Sequence, residues 1–250
     1  MYKQVSLKLI TLLWFFTTFN SYSTSVHFVT ENLPPFQQSK NGELAGGAMV
    51  ELVDALIEHT GIDATVDIYS WARAYAYAIH QPNTVIFSMR RTASREKLFI
   101  WLGHLYTLKT QIAVLKQRTD IKLNRLEDVN SYSIGAVRGD YDQLLLQNLG
   151  IAEGMYLGVT YRELWKMLKL GRIDSVMTNP QTAKIVMKDL AIDSEEIIFP
   201  FDFHHSEDQL YIAANKQTDP EILEELRQGL VELKINGTYQ AILKKWKLTP

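Results

Sequence analysis

Apolar residues recur along this chain in two rhythms. Short runs rich in β-branched and aromatic residues predict strands at Val26–Thr30, Ala64–Tyr69, Thr84–Met89, Ser133–Val137 and Ser175–Thr178. Between the first two, Met49, Val50, Val53, Leu56 and Ile57 fall on one face at helical spacing, and Gly61 ends that helix. The same spacing predicts helices over Trp71–His80, Tyr141–Leu149, Tyr161–Leu170, Gln181–Lys188, Pro220–Lys234 and Thr238–Trp246. Strand–helix–strand alternation implies mostly parallel sheets covered by helices, hence an α/β fold.

The first 23 residues break this rhythm. Lys3 and Lys8 precede an apolar run, Leu9–Phe19, with no acid before Glu31. The run is too short to cross the ~30 Å hydrocarbon core of a bilayer as a helix. Ser21-Tyr22-Ser23 follows, with small residues at both ends of the tripeptide. The pattern predicts a signal peptide over residues 1–23, cleaved after Ser23, and a mature protein in the periplasm. No later stretch approaches the length of a membrane span.

Composition narrows the chemistry. With no cysteine among 250 residues there is no disulfide, no thiolate metal site and no Cys nucleophile. A formal net charge of −2 argues against a general nucleic-acid binder, which needs a basic field. His204-His205, followed by Glu207 and Asp208, is the one adjacent histidine pair. It lacks metal-ligand spacing and reads as a solvated loop, so neither metal nor cofactor is expected. Ser94-Arg95-Glu96-Lys97 spells Ser-x-x-Lys, but the partner motifs of penicillin-recognising enzymes are missing, and no Gly-x-Ser-x-Gly elbow exists.

Five segments, in order, carry a resemblance. Val29-Thr30-Glu31-Asn32-Leu33-Pro34-Pro35-Phe36 opens the chain, and Gly42-Glu43-Leu44-Ala45-Gly46 leads into the helix through Glu51. Ser88-Met89-Arg90-Arg91-Thr92-Ala93-Ser94-Arg95-Glu96-Lys97 comes next, then Gly171-Arg172-Ile173-Asp174-Ser175-Val176. Asn236-Gly237-Thr238-Tyr239 with Lys244-Lys245-Trp246 closes the series. Over residues 26–247 the chain resembles the bacterial extracellular solute-binding proteins of family 3, the polar amino-acid-binding class of ABC importers. The resemblance implies a two-lobe, periplasmic-binding-protein-like (type II) α/β fold joined by two hinge strands. Residues 24–107 plus 211–250 would form one lobe and 108–210 the other, with hinges at 105–110 and 209–214. It further implies a monomer that closes on a small carboxylate-bearing solute, an amino acid or small organic acid, and presents it to the importer's membrane subunits.

A cleft for small carboxylates needs a fixed cation and convergent N–H donors. Arg90, Arg91 and Arg95 lie within six residues, with Thr92 a plausible N-cap for a helix holding Arg95. A guanidinium forks onto both carboxylate oxygens. By the resemblance Arg95 takes the ligand carboxylate and Ser88 and Arg90 line the pocket from a strand end, whereas Arg91 is expected to face solvent. Phe36, Tyr69 and Trp71 each follow a strand and are candidates for an aromatic wall. Gly135-Ala136-Val137-Arg138-Gly139-Asp140-Tyr141 runs from strand to helix, so its backbone N–H groups, with Arg138, could receive an anion. Amino-acid binders of the family usually carry Asp where strand Ser175–Thr178 ends; here it is Asn179. Either Glu31 or Asp140 supplies the missing anion, or the solute is not an ordinary α-amino acid. Two rivals stand beside binding: an enzyme resembling the periplasmic cyclohexadienyl dehydratases, with Glu31 as acid, and a ligand sensor.

Overall fold

The structure, a computed structural model, describes residues 25–151, 153–203 and 208–248. The expected signal peptide, residues 1–23, and the pair His204-His205 lie outside the described residues.

The chain runs β1 (Val26–Glu31), β2 (Gln38–Lys40), β3 (Glu43–Gly46), α1 (Ala48–Thr60), β4 (Ala64–Tyr69), α2 (Trp71–His80), β5 (Thr84–Arg90), β6 (Phe99–Thr107) and β7 (Thr110–Leu115). It continues β8 (Ile134–Val137), α3 (Tyr141–Asn148), β9 (Met155–Gly158), α4 (Tyr161–Lys169), β10 (Ser175–Thr178), α5 (Pro180–Asp189), β11 (Ile197–Phe203), β12 (Gln209–Asn215), α6 (Pro220–Ile235) and α7 (Thr238–Lys245). Two five-stranded sheets result, ordered β4-β1-β5-β12-β6 and β11-β7-β10-β8-β9. The molecule is therefore a two-lobe α/β structure. The lobes are linked by Leu108-Lys109 and by the segment from Phe203 to Gln209. The Leu108 N–H donates to the Asp208 carbonyl at 2.8 Å.

The strands are parallel where a helix intervenes: β1 pairs with β4 and β5, and β8 with β9 and β10. They are antiparallel where the chain returns through a link, β12 against β5 and β6, and β7 against β10 and β11. Residues 209–214, expected as a hinge, are strand in the first sheet, because β12 fills the slot between β5 and β6.

Local chemistry explains most boundaries. Gly61 adopts φ 70° and its N–H donates to the Ile57 carbonyl, closing α1 in the left-handed conformation that glycine tolerates best. In α4, Tyr161, Leu164, Trp165 and Leu168 form one buried stripe, and the Thr160 hydroxyl accepts from the Glu163 N–H to start the helix. Strand β5 is central and buried along its whole length, so Ser88 and Arg90 are drawn inside with it. The helix expected after Thr92 does not form. Two tight turns take its place, Arg95 N–H to Thr92 carbonyl and Leu98 N–H to Arg95 carbonyl, because the chain enters β6 at Phe99.

Candidate functional site

The lobes meet at the ends of their central strands. Glu31 at the end of β1, Ser88 and Arg90 at the end of β5, Asp140 before α3 and Tyr161 at the start of α4 face one another there. With Leu33, Leu108 and Leu210 they line a cavity of about 10 Å³. That is room for roughly one water molecule. Three further hydrogen bonds tie the lobes around it. Trp71 Nε1 donates to the Gly139 carbonyl at 2.7 Å, Thr182 Oγ1 to the Pro34 carbonyl at 2.6 Å, and Gln181 Nε2 to the Tyr106 hydroxyl at 3.3 Å.

Two buried guanidiniums serve different purposes. Arg90 is committed: Nη1 donates to Asp142 Oδ1 at 2.8 Å and lies 3.8 Å from Asp208 Oδ1, while Nη2 donates to Thr110 Oγ1 at 3.3 Å. Its guanidinium also stacks 4.5 Å from the Tyr141 ring. Arg95 is only 2% exposed, and its one side-chain hydrogen bond among the described residues runs from Nη1 to the Arg90 carbonyl at 3.1 Å. The Trp71 and Tyr75 rings hold it 4.8 and 5.3 Å from their centroids. Among the described residues no carboxylate pairs with it.

Against these cations stand four buried carboxyls: Glu31, Asp140, Asp142 and Asp208. Burial, then the neighbouring Asp140 and Asp142, holds the Glu31 carboxyl well above the usual carboxylate range, and Arg95 and Arg90 only partly counter this. Burial pushes Asp142 up to about 6 despite its bond to Arg90, and Asp140 and Asp208 add to the rise. On Arg90, burial opposes the charge but the surrounding carboxylates outweigh it, keeping the group cationic. Burial lowers the pKa of Arg95, with Asp140 acting in the other sense. Tyr161 donates to Asp142 Oδ2 at 3.2 Å, and burial followed by the two aspartates raises its phenol well above the ordinary value.

The residues singled out in the sequence separate cleanly. Glu31, Ser88, Arg90, Asp140, Arg95 and Trp71 converge on the gap between the lobes. Phe36 packs in the first lobe's core with its ring 5.0 Å from that of Tyr106. Tyr69 does not reach the cavity: β4 is an edge strand, and its ring stacks on Arg73 and Tyr77 at the surface. Arg138 is exposed and turns back to donate to the Leu157 carbonyl at 3.3 Å, so it adds nothing to an anion site. Asn179 is a helix cap: Oδ1 accepts from the Thr182 N–H and Nδ2 donates to Thr182 Oγ1, both at 2.9 Å. The anion place before α3 is filled from within, since Asp140 Oδ1 accepts the Tyr141 N–H at 2.6 Å. Arg91 forks onto Glu96 at the surface.

The structure adds Asp142, Tyr161, Thr110, Asp208 and Gln37. Gln37 is fully buried, its Oε1 accepts from Ser88 Oγ at 2.8 Å, and its Nε2 has no partner among the described residues. The faint sequence signal for Asp142 is its place in the first turn of a helix whose N-cap is already an aspartate. Asp208 was passed over because it follows the histidine pair in what reads as loop. Among the described residues no cluster of three or more His, Asp or Glu is arranged to hold a metal ion, and no helix is long and apolar enough to cross a membrane.

Residues 26–249 match the family of bacterial extracellular solute-binding proteins, family 3. The chain belongs to that family. Among its relatives is the L-cystine-binding protein TcyJ of Escherichia coli (strain K12), 22% identical over 216 residues that cover 85% of this chain and 78% of TcyJ. Among solved structures, an ancestral arginine-binding protein bound to arginine superposes with TM-score 0.76 at 24% identity, covering 89% of this chain and 97% of the other. A histidine kinase sensor domain with similarity to periplasmic binding proteins superposes with TM-score 0.80 at 18% identity, covering 90% and 98%. Membership agrees with the two-lobe α/β architecture.

Proposed function

We propose that this family-3 protein captures a small zwitterionic solute, an amino acid or close relative bearing a carboxylate, and presents it to the membrane subunits of an ABC importer. The single observation that supports this reading is Arg95, a buried cation between the lobes with two aromatic faces around it and no carboxylate partner among the described residues. A desolvated guanidinium without a counter-ion is expensive, and a ligand carboxylate resolves it through a charge-assisted fork. At the other end Asp140 and Glu31 offer carboxyl oxygens to an ammonium, whose charge offsets the burial that raises Glu31 above the usual carboxylate range. Asn179, occupied as a cap, takes no part.

The two sheets support a division near 24–107 with 211–250 and 108–210, with Gln209 and Leu210 already pairing in the first sheet. The closed gap holds about 10 Å³, so a solute enters only when the lobes part about the links at Leu108-Lys109 and Asp208. Ligand then favours the closed form by bridging Arg95 on one side and Asp140 on the other. Secretion to the periplasm through residues 1–23 fits delivery to an importer. A binding role is preferred to catalysis because the relatives named above are binding or sensing proteins.

A thermal-shift screen of amino acids and small organic acids identifies the solute, since a tight ligand raises the melting temperature by mass action. Calorimetry of Arg95→Ala with that solute then tests the clamp. Affinity is expected to fall by more than about 1.5 kcal/mol, the worth of a hydrogen bond to a charged group. Unchanged affinity in a folded variant removes Arg95 from the site.

A further inference from the structure

Every partner of the Arg90 guanidinium comes from outside the first sheet. Asp142 and Tyr141 belong to α3, Thr110 opens β7, and Asp208 sits in the second link. The second lobe and the links thus supply two carboxylates, a hydroxyl acceptor and an aromatic face around it. That donor set accepts any guanidinium or alkylammonium. The subsite is desolvated: Asp142 is 1% exposed and Arg90 6%. Arg90 also lines the cavity beside Glu31 and Asp140, whereas its partner Asp142 does not.

Charge points the same way. Four buried carboxyls face two arginines, and withdrawal of Arg90 would leave Arg95 alone among them. A buried carboxylate stripped of its partner is strongly unfavourable, so the pocket demands a cation whoever supplies it.

We infer that Arg90 is a resident counter-ion that fills a guanidinium-binding subsite of the cleft and determines specificity by shutting out solutes with a second positive charge. A solute whose far end carries a guanidinium must displace Arg90 from Asp142. The resident side chain holds the advantage of being tethered, since an intramolecular group competes at a high effective concentration. The claim deepens the reading of the cleft as a solute site by naming what its wall rejects.

The test replaces Arg90 and supplies its head group from solution. Arg90→Ala is titrated with methylguanidinium chloride against sodium chloride of equal ionic strength, with the melting temperature as readout. Stabilisation that saturates with methylguanidinium, absent from the wild type and lost in Arg90→Ala/Asp142→Asn, is expected. Should the single variant fail to fold alone, it is refolded from urea with either salt, and recovery only with methylguanidinium is the same result. No specific stabilisation or recovery, or stabilisation that persists in the double variant, overturns the subsite. L-arginine is then titrated calorimetrically into wild type and variant. Affinity is expected to rise at least about tenfold in the variant, the fold-change a charge-assisted hydrogen bond is worth. Equal arginine affinity in the two overturns the exclusion, although it would leave the amino-acid reading intact. Methylguanidinium carries no carboxylate, so failure of the Arg95 clamp leaves this result standing.

Discussion

Asn179 and Asp140 hold matching stations, each capping a helix of the second lobe that points at the gap. The Asn179 amide and one oxygen of Asp140 bind local N–H groups, which no reading of residue type alone reveals. Asn179→Ala should destabilise the protein by about 1 kcal/mol, the usual loss for an N-cap, measured by urea unfolding. Asn179→Asp should leave solute affinity unchanged, because aspartate caps equally well; a gain in amino-acid affinity would show the position contacts ligand. Ser88 shows the same principle in the backbone. It sits at φ 61°, in the left-handed region that costs a non-glycine residue about 1–3 kcal/mol. A buried bond to Gln37 and the β5 ladder around it hold it there. The concentration of arginines in segment 88–97 was legible in the sequence. Which arginine is free and which is committed was not, since Asp142 lies 52 residues from Arg90 along the chain.

At the scale of elements, helices with a clean apolar stripe were read nearly to the residue. The stripe of α4 packs over β8, β9 and β10, and the Leu164 side chain lies over Gly135 and Gly158, where a Cβ would crowd it. Leu164→Ala should cost about 2–5 kcal/mol in urea unfolding, because the glycines beneath cannot fill the cavity. A loss under about 1 kcal/mol would mean the helix relaxes onto the sheet. Most of β6 was missed, and β12 was expected only as a hinge strand, for a visible reason. Their pairing shifts register at Leu210/Tyr211 and again at Ile212/Ala213, so the period-2 signal is interrupted. The segment after Thr92 was expected to be helical from its cap, but a cap starts a helix only where the following residues are free to continue one. Here β6 claims them.

Across the whole molecule the buried acids couple folding to pH. The folded protein holds Asp142 at about 6, against 3.8 for an ordinary aspartate, and Glu31 is raised as well. Between those limits the folded state binds more protons than the unfolded chain, so its stability falls as pH rises through the window. The contribution is complete below about pH 4 and gone above about 6. Asp174, lowered by its bonds to Ser133 and Arg118 against the pull of burial, acts in the opposite sense and loses its contribution only as pH drops further. Unfolding free energy should therefore be higher at mildly acidic pH than at pH 7 in urea titrations. Asp142→Asn should flatten that slope while lowering stability overall, by leaving Arg90 without its partner. A wild-type profile that rises steadily from pH 4 to 7 would contradict the assignment. Hydrophobic periodicity, turn residues and the order of short motifs were enough to determine the α/β class, the helices and the family, because those signals are local and survive in one dimension. Tertiary structure alone decided which side chains meet. The ends of β1 and β5 and the starts of α3 and α4 become neighbours only when two sheets fold and close, and burial there gives identical residue types unlike partners and tasks.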